Sequence, residues 1–313
     1  MLKRISSIYL ISPLVILVYI SITMTIYTGP LRLIVSLNTA EVLWNYGVGL
    51  TIILCIFPLT CWAKSRRIPQ LPRTLNAGII LGGMFVCYLL LITLLWTMYE
   101  YKPPTFMLNI LKPIATLFHD LPYNDRRNID NALVGPFWLT VLWVGFSLWR
   151  LNTYSRQSFT LTWRDGLVIV LLLLLWTGLS VLRGNVWAET PENILPTVSI
   201  SSLIAFSSQF FVNGFQEETV FRGYIFPQVL SFLRSPVLSM WIVVILFDIA
   251  HIPSLLIGMH LSLSWWQWLL ECMFPLQPTG WVYGFLYYRL KSVLPGSIFH
   301  TYTTIWGGFP FMS

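Results

Sequence analysis

Two carboxylates and one guanidinium stand together inside a long apolar stretch, in the run Glu-Glu-Thr-Val-Phe-Arg at 217–222. Ionisable groups are costly in apolar surroundings, so such a cluster is first interpreted as a functional site. If the run is helical, Glu218 and Arg222 share a face in the order that favours an ion pair. Four residues after Glu217 comes Phe221, which is not basic. The spacing therefore predicts a structural role for Glu218 and a chemical role for Glu217, unless all three charges form a buried network that only holds two helices together.

Two histidines follow in later apolar segments. Phe247 and His251 are four residues apart, and so are His300 and Thr304, so each pair would share a helix face. A single histidine in such a segment is more often a helix-packing residue than a catalytic one. Two histidines and a glutamate on three helical elements favour a site, because bundle sites are built from inward side chains on facing helices. We expect the side-chain tips of Glu217, His251 and His300 to lie within about 7 Å of one another.

The chemistry open to this group is hydrolytic. A glutamate and a histidine together can deprotonate a water molecule. A second histidine with a hydroxyl group can stabilise the oxyanion of a tetrahedral intermediate. Alternatively, Glu217, His251 and His300 form a zinc ligand set with an open fourth position for water. Neither version needs a serine or cysteine nucleophile, and the sequence contains no Gly-x-Ser-x-Gly elbow, His-Glu-x-x-His motif, Walker loop or dinucleotide fingerprint.

The elements that must position these residues are predicted to be membrane-spanning helices. The 313-residue chain is 56% hydrophobic and 10% charged, and its mean hydropathy is +0.71. Soluble domains carry roughly 25% charged residues. We predict an all-α polytopic membrane protein whose nine spans lie near residues 6–28, 42–63, 76–98, 131–149, 165–182, 197–221, 236–257, 277–290 and 293–311.

Basic residues fall mainly on one side of these spans, which predicts a cytoplasmic N-terminus. That side carries Lys3, Arg4, Lys64, Arg66, Arg67, Arg73, Arg150, Arg156, Arg164, Arg234, Arg289 and Lys291. The formal net charge of +7 is thereby explained without a nucleic-acid partner. The four cysteines lie in or beside apolar segments without metal-ligand spacing, and are interpreted as small apolar residues.

The three polar motifs, in this order, resemble the CAAX-protease and bacteriocin-processing family of intramembrane proteases, abbreviated CPBP or Abi. The family pattern is Glu-Glu-x-x-x-Arg, then Phe-x-x-x-His, then His-x-x-x-Asn or Asp. The run Leu-Pro-Gly-Ser at 294–297, before the third motif, is also similar to the family. The resemblance divides the chain into an N-terminal part, 1–190, of unknown role and a peptidase core, 191–313.

The resemblance implies that Glu217 and His251 activate water while His300 and Thr304 hold the oxyanion. Site-ordering roles are implied for Glu218, Arg222, Phe247 and Asp248. The family has an amide or carboxylate where this chain has Thr304. A threonine hydroxyl donates a single hydrogen bond, has a shorter reach, and can bond back to its own helix instead.

The function that the resemblance implies is hydrolysis of a peptide bond in a membrane-anchored or lipidated protein or peptide within the lipid bilayer. No cofactor is expected, and zinc is the alternative. A second hypothesis, drawn from Thr304, is a catalytically inactive immunity or binding protein of the same fold. A third is a small-solute transporter. Against the transporter, the charges cluster in one place and no pair of matching broken helices appears in two halves of the sequence.

Overall fold

The computed structural model describes residues 39–61, 83, 86, 159–187, 200–258 and 279–306. Nearly all of these residues are helical, and no strand occurs among them. The predicted all-α class is therefore confirmed for this part of the chain. The α-helices are α1 (Thr39–Thr60), α2 (Trp163–Trp187), α3 (Ile200–Gln209), α4 (Phe215–Glu218), α5 (Phe226–Leu233), α6 (Pro236–Gly258), α7 (279–290) and α8 (Val293–Trp306).

Six of the predicted spans coincide in sequence with described helices, namely those at 42–63, 165–182, 197–221, 236–257, 277–290 and 293–311. The spans predicted at 6–28 and 131–149 lie outside the described residues, and only 83 and 86 are described within 76–98. A search of the described residues found no helix with both the length and the apolar character needed to cross a membrane. The count of nine spans stays a prediction.

The acidic motif lies in a helical run that is less regular than the sequence predicted. In place of one α-helix ending near 221, two π-helical segments, Phe210–Gly214 and Thr219–Ile225, flank the short helix α4. Single-turn π segments within helices occur frequently at functional sites. The run then continues through α5 and ends at Arg234, which adopts a left-handed conformation with φ 54° and donates its N–H to the Leu230 carbonyl at 2.9 Å.

The chain divides into two compact units, which do not follow its order in sequence. Of the described residues, the first unit contains 39–55, 83, 86, 225–258 and 279–285. Helices α5 and α6 pack together in this unit. Trp241 of α6 meets Trp281 of α7 edge to face, with ring centroids 4.9 Å apart. A Cβ at Gly280 would lie 3.2 Å from Val244, so the two helices approach closely at that point.

The second unit contains the described residues 56–61, 159–187, 200–224 and 286–306. Helix α8 packs here against α2, α3, α4 and the first π-helical segment. Trp176 of α2 contacts Phe299 edge to face, with ring centroids 6.0 Å apart. One residue further along α2, the hydroxyl of Thr177 lies 2.6 Å from that of Tyr302, within hydrogen-bond distance. Helix α2 thus holds α8 on both sides of His300.

Candidate active site

A buried ion pair forms the base of the site in the second unit. A terminal nitrogen of Arg222 lies 3.1 Å from Oε1 of Glu218, and both side chains are fully buried. The i,i+4 pair expected from the sequence is therefore present, although Glu218 closes α4 and Arg222 belongs to the second π-helical segment. Removing one member of such a pair would leave a buried charge without compensation, so the pair strongly constrains the local helix.

The same carboxylate holds the imidazole of His300, which comes from α8. Nδ1 of His300 lies 3.3 Å from Oε1 of Glu218. An ionised carboxylate can only accept, so this hydrogen bond places the hydrogen on Nδ1 and leaves Nε2 facing away from Glu218. Glu218 therefore connects the guanidinium and the imidazole through one oxygen atom.

The second carboxylate meets the other side of that imidazole. Oε2 of Glu217 lies 3.8 Å from Nε2 of His300. A regular helix turns about 100° per residue, so neighbouring acids were expected to have separate partners. Instead, both carboxylates face one ring. Glu217 is also the more accessible of the two, since its side chain is 12% exposed and that of Glu218 is fully buried. The oxygen of Glu217 that faces His300, Oε2, is itself buried.

Two glycines allow α8 to approach the acidic motif, and neither was predicted to belong to the site. A Cβ at Gly296 would lie 3.0 Å from Oε2 of Glu218. A Cβ at Gly214 would overlap the hydroxyl of Thr301 and would lie 2.5 Å from the Ser297 carbonyl oxygen. The spacing did contain a signal, because Gly296 precedes His300 by four residues and shares its helix face.

Thr304 lies one turn after His300 and hydrogen-bonds to its own helix. Its hydroxyl donates to the carbonyl oxygen of His300 at 3.0 Å, and the hydroxyl of Thr303 donates to the same oxygen at 2.9 Å. This is the competing interaction expected for a threonine within a helix. The Thr304 hydroxyl would have to leave that carbonyl before it could donate to an oxyanion.

The Phe-x-x-x-His motif belongs to the first unit, on α6. Nδ1 of His251 lies 2.8 Å from the carbonyl oxygen of Phe247, and the two rings meet edge to face at 4.6 Å. A carbonyl only accepts, so Nδ1 carries the hydrogen and Nε2 of the neutral ring carries the lone pair. Asp248, next to Phe247, is fully buried. The predicted approach of His251 to Glu217 and His300 stays a prediction.

The zinc alternative would use Glu217, His251 and His300. Among the residues that the structure describes, no three histidine, cysteine, aspartate or glutamate side chains are grouped so that they could hold a metal ion. The zinc alternative stays a prediction.

Comparison with known proteins gives one match. Residues 199–306 match the family model described as Rce1-like, type II CAAX prenyl endopeptidase Rce1-like. The match covers about a third of the chain and includes all three motifs, so the resemblance to the CAAX-protease family is confirmed over this segment. No curated protein and no solved structure matched the chain. The description of that family is one of endopeptidases, and the segment that carries the candidate site is similar to them.

Proposed function

We propose that the protein is an intramembrane endopeptidase that hydrolyses a peptide bond in a membrane-anchored or lipidated protein or peptide. One observation carries the proposal: within the family segment, Glu217 and the buried Glu218 lie on either side of a single imidazole. Glu218 is committed to Arg222 and to Nδ1 of His300, whereas Glu217 faces Nε2 and retains some exposure. These different contacts favour a structural role for Glu218 and a chemical role for Glu217.

The proposed reaction begins with a water molecule beside Glu217. The carboxylate takes one proton from the water, and the water oxygen attacks the carbonyl carbon of the peptide bond. The carbonyl oxygen becomes an oxyanion. When protonated, His300 offers Nε2–H to this oxyanion, because its Nδ1–H is already donated to Glu218. Glu217 then returns the proton to the amide nitrogen, the C–N bond breaks, and a carboxyl and an amino terminus form.

His251 enters the proposal through its motif and its tautomer. With Nδ1–H donated to Phe247, the lone pair of Nε2 can accept a hydrogen bond from the attacking water and orient it. In the proposal Thr304 contributes a second oxyanion donor only after its hydroxyl leaves the His300 carbonyl.

The proposed reaction needs no metal, so exhaustive chelation should leave the rate of peptide cleavage unchanged. Loss of activity that only added zinc restores would contradict a metal-free reaction.

The direct test uses the full chain in lipid nanodiscs with a membrane-anchored or lipidated reporter peptide, and mass spectrometry of the products. The wild type should produce two new termini, and Glu217→Gln should produce neither, because the amide cannot take the proton from water. Asp165→Asn is the matched control: it also converts a buried acid to its amide, but on α2, where Asp165 accepts a hydrogen bond from the Thr162 N–H at 2.7 Å. Equal cleavage by Glu217→Gln and the wild type would overturn the proposal.

A second candidate function is a binding or immunity protein of the same fold without catalysis. The hydrogen bond from the Thr304 hydroxyl to its own helix favours this candidate, because it occupies the donor that the oxyanion would need. The two candidates differ in their response to Glu217→Gln. A cellular function that survives this substitution favours binding, and one that is lost together with cleavage favours the endopeptidase.

A further inference from the structure

Two cations, Arg289 and Lys291, are two residues apart in the sequence of the second unit, at the junction between α7 and α8. Arg289 is held by contacts with the end of α1. Its Nε donates to the hydroxyl of Thr60 at 2.7 Å, and its guanidinium lies 5.0 Å from the ring centroid of Phe57. The Thr60 bond uses one of the five N–H groups of the guanidinium and fixes its direction. The terminal N–H groups remain available as a planar fork.

Lys291 follows two residues later in a conformation that costs energy. Its φ is 56°, in the left-handed region that residues with a Cβ seldom adopt, and its N–H donates to the Tyr287 carbonyl at 2.7 Å. Its Nζ lies 3.7 Å from the ring centroid of Tyr288. Burial, and after it the neighbouring positive charge of Arg289, lowers the pKa of Lys291 to about 7. The charge of Arg289 thus disfavours the protonated form of Lys291.

No acid offsets this pair in the part of the chain that the structure describes. Neither Arg289 nor Lys291 belongs to the buried ion pairs of Glu217 and Glu218. The sequence adds further positive charge, since Lys64, Arg66 and Arg67 follow shortly after Thr60 and lie outside the described residues. Two partly buried like charges with no carboxylate paired to them among the described residues favour a bound anion.

We propose that Arg289 and Lys291 form a binding site for a phosphate group, supplied by an anionic phospholipid headgroup or by free phosphate. The guanidinium fork matches two phosphate oxygens, and the ammonium supplies a point charge beside them. Helix α8 begins at Val293, immediately after this pair, and the positive end of its dipole adds to the attraction. The site is independent of the proposed peptidase activity and uses none of its residues.

The test titrates the delipidated full chain, in neutral detergent, with phosphatidylglycerol and separately with phosphatidylcholine, and counts bound lipids by native mass spectrometry. Phosphatidylglycerol should bind more tightly. Arg289→Gln and Lys291→Gln should each weaken its binding about fivefold, since a cation near an anionic headgroup contributes about 1 kcal/mol. Arg234→Gln is the matched control, because among the described residues Arg234 is the other cation in a left-handed conformation at a helix end, with φ 54°. It should change binding less than about twofold.

A second variant separates charge from structure. Thr60→Val removes the hydrogen bond to Arg289 but keeps both cations, so this variant should still bind phosphatidylglycerol. A loss of phosphatidylglycerol binding in Thr60→Val equal to that in Arg289→Gln would overturn the proposal. Equal binding of the two lipids by the wild type would also overturn it, and so would equal losses of binding in Arg289→Gln, Lys291→Gln and Arg234→Gln.

A parallel experiment identifies the source of the phosphate by measuring the rate at which an amine-reactive reagent acylates Lys291. Occupation of the site should slow this reaction. Protection by inorganic phosphate alone assigns the site to free phosphate. Protection only by phosphatidylglycerol assigns it to a headgroup. Protection by neither overturns the site.

Discussion

The two histidines of the motifs are held in opposite ways, each in its own unit. His251 is fixed by its own helix, through the carbonyl and the ring of Phe247. His300 is fixed by side chains of another element, with Glu218 on Nδ1 and Glu217 facing Nε2. One imidazole is therefore oriented by local backbone, and the other by buried charges brought together by tertiary packing.

This difference teaches what each ring is prepared to do. The His251 tautomer leaves a lone pair on Nε2, which suits a base or a water ligand. His300 lies between two acids, and its Nε2 is directed toward Glu217. An imidazole in this position suits a hydrogen-bond donor to the negative charge that develops during hydrolysis. Substitutions at His251 should therefore affect chemistry with little loss of stability, whereas substitutions around His300 should affect stability as well.

The largest effect is expected from His251→Asn. The asparagine amide can still donate to the Phe247 carbonyl from roughly the position of Nδ1, but it has no atom in place of Nε2. We expect the cleavage rate to fall by about 10²- to 10⁴-fold, the range for loss of a positioned base, with the thermal unfolding temperature nearly unchanged. A variant that unfolds early would show that the ring serves packing, and the contrast with His300 would fail.

The next effect concerns the ion pair that supports His300. Arg222→Met should lower the free energy of unfolding by about 3–5 kcal/mol, because Glu218 then keeps a buried charge without its cation. The double variant Glu218→Met, Arg222→Met should recover much of that loss, since neither charge remains. The comparison of the two unfolding curves checks this. Equal destabilisation by the single and the double variant would indicate that packing volume, not charge, holds this region.

A smaller loss is expected where α8 passes Glu218. Gly296→Ala places a Cβ 3.0 Å from Oε2 of that carboxylate and should cost about 1–3 kcal/mol as the helix shifts. It should also slow cleavage by displacing His300. Gly178→Ala is the control, because a Cβ there meets nothing within 4 Å. This control should leave stability unchanged or raise it by up to about 1 kcal/mol. Equal effects of the two substitutions would show that the approach at Gly296 is unimportant.

The smallest effect is expected from Phe247→Leu in the first unit. The substitution removes the edge-to-face contact with His251 but keeps the backbone carbonyl that fixes its tautomer. We expect a loss of about 0.5–1.5 kcal/mol, the worth of such a ring pair, and a cleavage rate that falls far less than in His251→Asn. If the rate falls as far as in His251→Asn, the ring contact rather than the carbonyl orients the imidazole.

Local features of this structure could be predicted from sequence. Apolar length predicted the positions of the described helices except α5, which lies between two predicted spans, and i,i+4 spacing predicted the Glu218–Arg222 pair and the shared face of Phe247 and His251. Each of these depends on residues within one or two helical turns. The number of membrane spans depends on parts of the chain outside the described residues and stays a prediction.

The non-local features could not be predicted. Glu217 and Glu218 are neighbours within α4, so the rule of 100° per residue separates their directions but gives no information about the ring of His300, whose two nitrogens they face. The position of Glu218 against Gly296, and the bond between Thr177 and Tyr302, depend on how α8 packs in three dimensions. Residue spacing along one helix carries no information about which glycine a distant carboxylate will approach.

The central claim is that Glu217 and His251 drive hydrolysis of a peptide in the membrane. The most direct measurement compares the peptide termini in membranes that contain the wild type, Glu217→Gln or His251→Asn at equal abundance. We predict at least one new pair of termini in the wild-type membranes that both variants lack. Membranes whose termini are the same with and without the chain, or a Glu217→Gln protein that produces the same termini as the wild type, would contradict this account.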